Sequence, residues 1–214
     1  MHHSLDFNAI PIIDRGRAFF TVQDDLSQAL RRLPRISDRV RNAFQFLYWS
    51  MQDASLLRCP EDAASPFRDG CVRAALTEVV SIEEMQVHDF RECGLDTTPL
   101  KLNSGSNPSW HLVRELRNLQ THLRQDTMRD TPKDVLWGHP DKPQEARPLT
   151  INIYTLQGVD EQAFHSLRNA MRYNSADVSR MIEWFNAAQC DWGVQEVLAN
   201  VIEGYSRALL ARAA

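Results

Sequence analysis

Three residues near the middle of the chain, Arg117, Asn118 and His122, combine side chains that together suit chemistry on a phosphate group. A histidine can accept and release a proton near neutral pH, so His122 is a candidate general acid or base. The guanidinium of Arg117 can neutralise a phosphoryl group throughout a reaction. The amide of Asn118 can donate to phosphate or hold the imidazole in one orientation. We therefore predict a catalytic site of these three residues that uses no metal ion and no cofactor.

The three residues lie on a predicted amphipathic helix over residues 108–128, which Asn107 caps. Asn118 and His122 are neighbours on its polar face because they are four residues apart. Arg117 lies about 140° around the helix axis from His122, so a site shared between two chains fits better than a site within one chain. The opposite face is predicted to pack into the core through four leucines: Leu112, Leu116, Leu119 and Leu123.

Two further residues of this helix, Arg114 and His111, are candidates for substrate binding. Arg114 lies on the polar face and can contact a phosphate. His111 lies near the side that carries Asn118, and we expect it to be a solvent-exposed residue at the helix start. A structural interpretation of the same helix stays open: Arg117 would pair with an acid of another helix, and His122 would hydrogen-bond to a buried carbonyl.

The pattern Arg117-Asn118-x-x-x-His122 on a helix resembles the signature of HEPN domains, the "higher eukaryotes and prokaryotes nucleotide-binding" superfamily. The resemblance implies a helical bundle over about residues 20–130. Many HEPN proteins are metal-independent endoribonucleases of toxin–antitoxin, phage-defence and RNA-processing systems, and others bind nucleotides or are inactive. It also implies a homodimer whose two motifs face one cleft. RNA is then the expected partner, with an antitoxin or another protein as a further one.

The rest of the sequence predicts an all-α fold, a bundle of six or seven helices with a minor two-stranded β element. We expect one domain over residues 1–214, with C-terminal helices over about 159–212 packed on the HEPN-like core. Thr21 is the predicted cap of the first helix. The periodicity of the apolar residues predicts these helices: about 21–33, 36–57, 67–93, 108–128, 160–172, 175–188 and 191–212.

The predicted β element pairs residues 149–156, LTINIYTL, with residues 7–13, because a lone strand would leave its backbone groups unpaired. Residues 130–148 carry four prolines and are predicted to be irregular. Pro60 and Pro66 are expected to separate two helices.

The composition excludes several classes of protein. A net charge of −4 argues against RNA binding through global charge, although 21 of the 24 basic residues are arginines. The first residues show no secretory signal, and no apolar run approaches the roughly 20 residues that span a bilayer. We therefore expect a cytoplasmic protein that does not enter membranes. The four cysteines form no C-x-x-C pair, so no zinc site is indicated.

The sequence leaves two alternatives to a nuclease: a metal-dependent enzyme and a non-catalytic interaction module. Glu84 and His88 lie four residues apart and resemble half of a metal site, but no second Glu-x-x-His is present, so a solvated helix face explains them better. The main alternative is a non-catalytic helical interaction module that binds a partner through the exposed side of the C-terminal helices. It requires an exposed apolar patch on those helices.

Overall fold

The computed structural model describes residues 2–13, 22–52, 61–122, 128–137 and 145–213, the side chains of 61–63, 121–122, 135–137 and 151 excepted. The fold is mainly helical, which confirms the helical part of the predicted class. The described residues contain seven α-helices: α1 Asp24–Leu30, α2 Pro34–Ser50, α3 Glu61–Glu92, α4 Pro108–His122, α5 Glu161–His165, α6 Ser175–Trp192 and α7 Val194–Arg212. The predicted cap Thr21 lies outside these residues.

Helices α2 and α3 pack closely along their length and bury the apolar faces that the sequence spacing predicts. The expected break at Pro66 is wrong, because this proline lies inside α3. A proline removes one backbone hydrogen bond, and here the loss falls near the helix N-terminus. The apolar face beyond it is buried and holds the helix in place: Val72, Ala75, Leu76, Val79 and Ile82.

Gly94 ends α3, as the sequence predicts. Its φ of 68° lies in the left-handed region that favours glycine. The N–H of Leu95 donates to the Phe90 carbonyl at 2.8 Å, and the N–H of Gly94 donates to the Arg91 carbonyl at 3.1 Å. These two bonds satisfy carbonyl groups that the end of a helix otherwise leaves unpaired.

The small sheet is antiparallel and pairs β1, Met128–Trp137, with β2, Arg147–Leu156. β2 confirms the strand predicted at 149–156, but its predicted partner is wrong. Residues 7–13 contain a 3-10 turn, Phe7–Ala9, which the Asp6 carboxylate caps by accepting the Asn8 N–H at 3.0 Å.

Strand β1 occupies residues 130–137 of the stretch 130–148 that is predicted to be irregular, so that prediction is wrong there. Most of its described side chains are exposed, and no alternation of apolar and polar residues marks it in the sequence. The expected two strands are too few: the sheet has three. Of these, the described residues show the pair β1–β2.

The C-terminal part of the chain forms fewer helical residues than predicted between positions 160 and 172. Asp160 caps the short helix α5, and a separate 3-10 turn, Ala170–Arg172, follows it. Gly193, with φ 82°, joins α6 to α7. The predicted apolar stripe of α7 is confirmed, since all its members are buried: Val194, Val197, Leu198, Val201, Ile202, Tyr205 and Leu209.

One cluster of buried apolar side chains combines residues of α1–α4 with residues of β2 and α5–α7. Polar contacts reinforce this packing: Gln195 Nε2 donates to Ser50 Oγ at 3.1 Å, and Gln86 Nε2 donates to the Tyr205 hydroxyl at 2.9 Å. The C-terminal helices therefore pack directly on the earlier ones. Among the described helices, none is both long and apolar enough to cross a membrane.

Candidate functional site

Helix α4 carries all the candidate site residues, and it begins as predicted. Pro108 takes the first helical position, and Asn107 Oδ1 accepts the backbone N–H and the hydroxyl of Ser109 at 2.9 and 2.7 Å. The helix is described as far as His122, and the predicted end near residue 128 is wrong, because Met128 already belongs to β1. The predicted core face is confirmed for Leu112, Leu116 and Leu119, which are buried, whereas Leu123 lies outside the described residues.

Three polar residues follow one another along one side of α4: His111, Glu115 and Asn118. His111 and Glu115 are fully buried, and Asn118 is partly buried. Position 122 lies one helical turn beyond Asn118, while the side chain of His122 lies outside those described. Glu115 is not among the predicted site residues, although the spacing 111, 115, 118, 122 places it on the same side of the helix as Asn118.

The amide of Asn118 is held by the carboxylate of Glu115: Nδ2 donates to Oε2 at 3.0 Å. On the other side of Asn118, its Oδ1 lies 3.5 Å from Nη1 of Arg117, a long hydrogen bond. Arg117 Nε is buried without a hydrogen-bond partner in the described part of the chain. The ion pairs seen between described residues do not include Arg117, so its positive charge has no described carboxylate partner.

The other oxygen of Glu115, Oε1, faces two residues that follow α5. The Tyr173 hydroxyl lies 3.3 Å from it, and Asn169 Nδ2 lies 3.5 Å from it. A buried carboxylate is costly unless donors surround it, and here all three donors are neutral. The carboxylate therefore links α4 to a part of the chain more than fifty residues away.

His111 is fully buried, so the expectation of an exposed histidine at the helix start is wrong. Its Nε2 lies 2.8 Å from the Gly105 carbonyl oxygen and its Nδ1 lies 3.2 Å from the Tyr173 hydroxyl. Because a carbonyl only accepts, Nε2 carries the proton. Both ring nitrogens have protein partners, so neither is open to a substrate in this structure.

Residues near the N-terminus cover this part of α4. The ring of His3 packs edge-on against His111 at 4.7 Å between centroids and lies 4.9 Å from the ring of Tyr173. Burial, and then the charge of Arg172, lower the pKa of His3. Burial also lowers the pKa of His111 to about 4, although the hydrogen bond to the Gly105 carbonyl acts in the opposite direction. His111 is therefore neutral at pH 7.

A neutral His111 with its proton on Nε2 presents a lone pair at Nδ1. The single proton of the Tyr173 hydroxyl then has two acceptors, this lone pair and the Glu115 carboxylate. Burial and the neighbouring Glu115 raise the pKa of Tyr173, so the hydroxyl keeps its proton. Tyr173 thus joins the histidine pair to the carboxylate that holds Asn118.

Lowering the pH from about 7 to about 5 is expected to reduce the free energy of unfolding by about 2 kcal/mol through His111. Its ordinary pKa of 6.5 applies to the unfolded chain, and its folded pKa is about 4. Between these values the unfolded state binds more protons, so stability falls as the pH falls. Urea unfolding at both pH values measures the effect. The His111→Gln variant should lose this part of the pH dependence, and an unchanged dependence in that variant would contradict the assignment.

Arg114, the other predicted substrate-binding residue, lies against α3 and forms an ion pair with Glu83. Glu83 is buried, and its Oε1 also accepts the backbone N–H of Leu102 at 2.6 Å. The side chain of Arg114 is 27% exposed. Its charge already has a partner, which distinguishes it from Arg117 on the same helix.

The segment that resembled half of a metal site has no metal-binding geometry. Glu84 and His88 are exposed, as expected of a solvated helix face. In the described part of the chain, no three His, Cys, Asp or Glu side chains are placed to hold a metal ion. The described cysteines, Cys71, Cys93 and Cys190, are free thiols.

Comparison of the chain with protein-family models, with curated proteins and with solved structures found no match. The resemblance to HEPN domains therefore depends on the residues Arg117, Asn118 and His122 and on their place in a helical fold.

Proposed function

We propose that this chain is a HEPN-like, metal-independent endoribonuclease that acts as a dimer. The observation that supports this most is the state of Arg117, whose guanidinium has no ion pair with a described acid. Beside it, the Asn118 amide is oriented by a buried carboxylate. A planar guanidinium with spare donors suits two oxygens of a phosphate.

The proposed reaction is attack of a ribose 2′-oxygen on the adjacent phosphorus, with departure of the 5′-oxygen of the next nucleotide. His122 acts as general acid or base: it takes the proton of the 2′-hydroxyl or supplies the proton that the leaving oxygen needs. Arg117 stabilises the negative charge that develops on the phosphoryl oxygens. Asn118 orients the imidazole or the phosphate. The products are a 2′,3′-cyclic phosphate and a 5′-hydroxyl.

The dimer is part of the proposal because of the geometry of α4. Positions 117 and 122 diverge by about 140° around the helix axis. Two copies related by a twofold axis would place Arg117 of one chain near His122 of the other, so that two motifs line one cleft. Arg114, which Glu83 holds against α3, would border this cleft and contact the RNA backbone.

Membership of a toxin–antitoxin or phage-defence system belongs to the same proposal. In such a system an antitoxin or other protein would restrain the enzyme by covering the cleft. Such an enzyme would act in the cytoplasm, where its RNA substrate is found.

The alternative, a non-catalytic interaction module, has one observation in its favour: an apolar pocket between residues 10–13 and α6, lined in part by Trp184, Ala188 and Trp192. It requires an exposed apolar patch on the C-terminal helices, whereas only one of the large exposed apolar side chains of the described residues, Met171, lies between positions 159 and 212; the others are Ile12, Tyr48, Trp49, Phe67 and Leu149. None of them belongs to α6 or α7.

The purified chain is expected to cleave end-labelled single-stranded RNA of mixed sequence in the presence of excess EDTA. The 5′ products should end in a 2′,3′-cyclic phosphate, because the 2′-oxygen is the nucleophile. A DNA strand and a 2′-O-methyl RNA of the same sequence are the controls, and both should stay intact. Cleavage that requires Mg²⁺, or that occurs in either control strand, would refute the proposal.

A further inference from the structure

We infer that Glu115 is the positioning residue of this site, and that Tyr173 and Asn169 hold it in place. This inference rests on the proposed function, since it assigns a supporting role around Asn118. It also gives the segment between α5 and α6, which lies beyond the HEPN-like core, a part in the site.

Glu115 is fully buried, with 0% of its surface exposed. A buried carboxylate is costly unless it is paired or hydrogen-bonded, and Glu115 has no ion pair with a described cation. Glu115 instead divides its two oxygens between Asn118 on one side and the pair Tyr173 and Asn169 on the other. The two oxygens of Glu115 therefore connect Asn118 of the motif to Tyr173 and Asn169.

Glu115 fixes the orientation of the Asn118 amide. An amide can turn over by rotation about its last side-chain bond, which exchanges its oxygen and nitrogen. Because Glu115 only accepts hydrogen bonds, it fixes Nδ2 on its own side and leaves Oδ1 facing Arg117. The carboxylate thus determines which atom of Asn118 meets the guanidinium.

Glu115 is itself held in place by Tyr173. The ring of Tyr173 is fixed by contacts with Phe164, His111 and His3, at centroid distances of 5.3, 5.6 and 4.9 Å. Its hydroxyl cannot follow a moving carboxylate, so Glu115 stays where the ring places the hydroxyl. Removing the hydroxyl should loosen Glu115 without emptying the core.

The test compares Glu115→Gln, Tyr173→Phe and the matched control Glu78→Gln in the full chain. Glu78 also pairs through its carboxylate, with Arg39 at 3.0 Å, but it lies on α3 away from this network. We expect Glu115→Gln to lower kcat for RNA cleavage about tenfold and Tyr173→Phe about threefold, with KM within about twofold, because an oriented group acts in the transition state. Glu78→Gln should leave both constants unchanged.

A second readout separates positioning from simple loss of structure. If Glu115 acts through Asn118, the double variant Glu115→Gln/Asn118→Ala should be no slower than Asn118→Ala alone. The inference is wrong if kcat of the double variant falls by the product of the two single effects. It is also wrong if Glu115→Gln has the kcat of the unaltered protein. If Glu115→Gln does not fold, the same cycle with Tyr173→Phe decides the matter.

A third readout does not depend on cleavage. The side-chain amide signals of Asn118 in a ¹H–¹⁵N NMR spectrum are assigned by their loss in Asn118→Ala. They should shift in Glu115→Gln and in Tyr173→Phe, and they should stay in place in Glu78→Gln. A protein that cleaves no RNA but shows these shifts would refute the proposed function and keep the positioning network, whereas unmoved signals would refute the network.

Discussion

Replacing Arg117 with alanine is expected to slow RNA cleavage about a thousandfold, which is the effect of removing one group that stabilises charge in a transition state. The loss should fall on kcat, because the guanidinium interacts most strongly with the phosphoryl oxygens as charge develops on them. His122→Ala should cost a comparable factor, since it removes the group that transfers the proton. Single-turnover cleavage of a labelled RNA in EDTA measures both losses.

The chain provides a matched control for the first of these variants. Arg41-Asn42 repeats the Arg-Asn pair on α2 without a histidine four residues after Asn42, and Arg41 is exposed and paired with Asp38. Arg41→Ala should therefore cleave at nearly the rate of the unaltered protein. Equal losses in Arg41→Ala and Arg117→Ala would indicate a general effect of charge on RNA binding rather than catalysis.

A mixture of the two catalytic variants tests whether the site is shared. Equal amounts of Arg117→Ala and His122→Ala, refolded together, give half mixed dimers. If each site takes Arg117 from one chain and His122 from the other, every mixed dimer has one intact site, and about a quarter of the original activity returns. A site complete within one chain predicts no recovery, because every chain then carries one damaged site.

Replacing Asp89 with alanine is expected to lower the free energy of unfolding by about 3 kcal/mol. Asp89 lies on α3, is fully buried, and caps the first turn of α2. Its Oδ2 accepts the N–H of Ile36 at 2.9 Å, and its Oδ1 accepts the N–H of Arg35 at 3.3 Å. Oδ1 also pairs with the Arg35 guanidinium at 3.1 Å. Alanine leaves these donors without their partner, and one of them is buried.

Urea unfolding monitored by circular dichroism measures this loss at constant pH. Asp38→Ala is the matched control, because Asp38 is an acid on α2 that pairs with an arginine while 62% of its side chain is exposed. Exposed pairs contribute little, so this variant should lose less than about 0.5 kcal/mol. Similar losses in the two variants would show that Asp89 does not act as an interhelix cap.

The sequence alone predicted only part of the candidate site. Helical spacing alone placed Asn118 beside position 122 and placed three leucines on the buried face of α4. The same spacing also contained Glu115, but a single glutamate in a sequence gives no sign of its burial. Its supports, Asn169 and Tyr173, follow it by 54 and 58 residues, a separation at which no periodic pattern carries information.

His111 is a second residue whose burial could not be predicted from the local sequence. Its position at the start of a helix suggested contact with solvent, yet Gly105, Tyr173 and His3 enclose its ring. The first of these is close in sequence, but the other two come from distant parts of the chain. Whether a polar residue of this helix is buried therefore depends on which distant segments pack over it. The sequence of the helix does not specify these segments.

The sequence by itself determined those helix ends and buried faces that depend on residues only a few positions apart. Asn107 and Pro108 begin α4, Gly94 ends α3, and the apolar periods of α2 and α7 set their buried faces. Tertiary structure alone decided the partner of β2 and the hydrogen bonds of Glu115. Local backbone preferences and side-chain periods act over one or two helical turns, whereas burial and pairing depend on which distant segments the folded chain brings together.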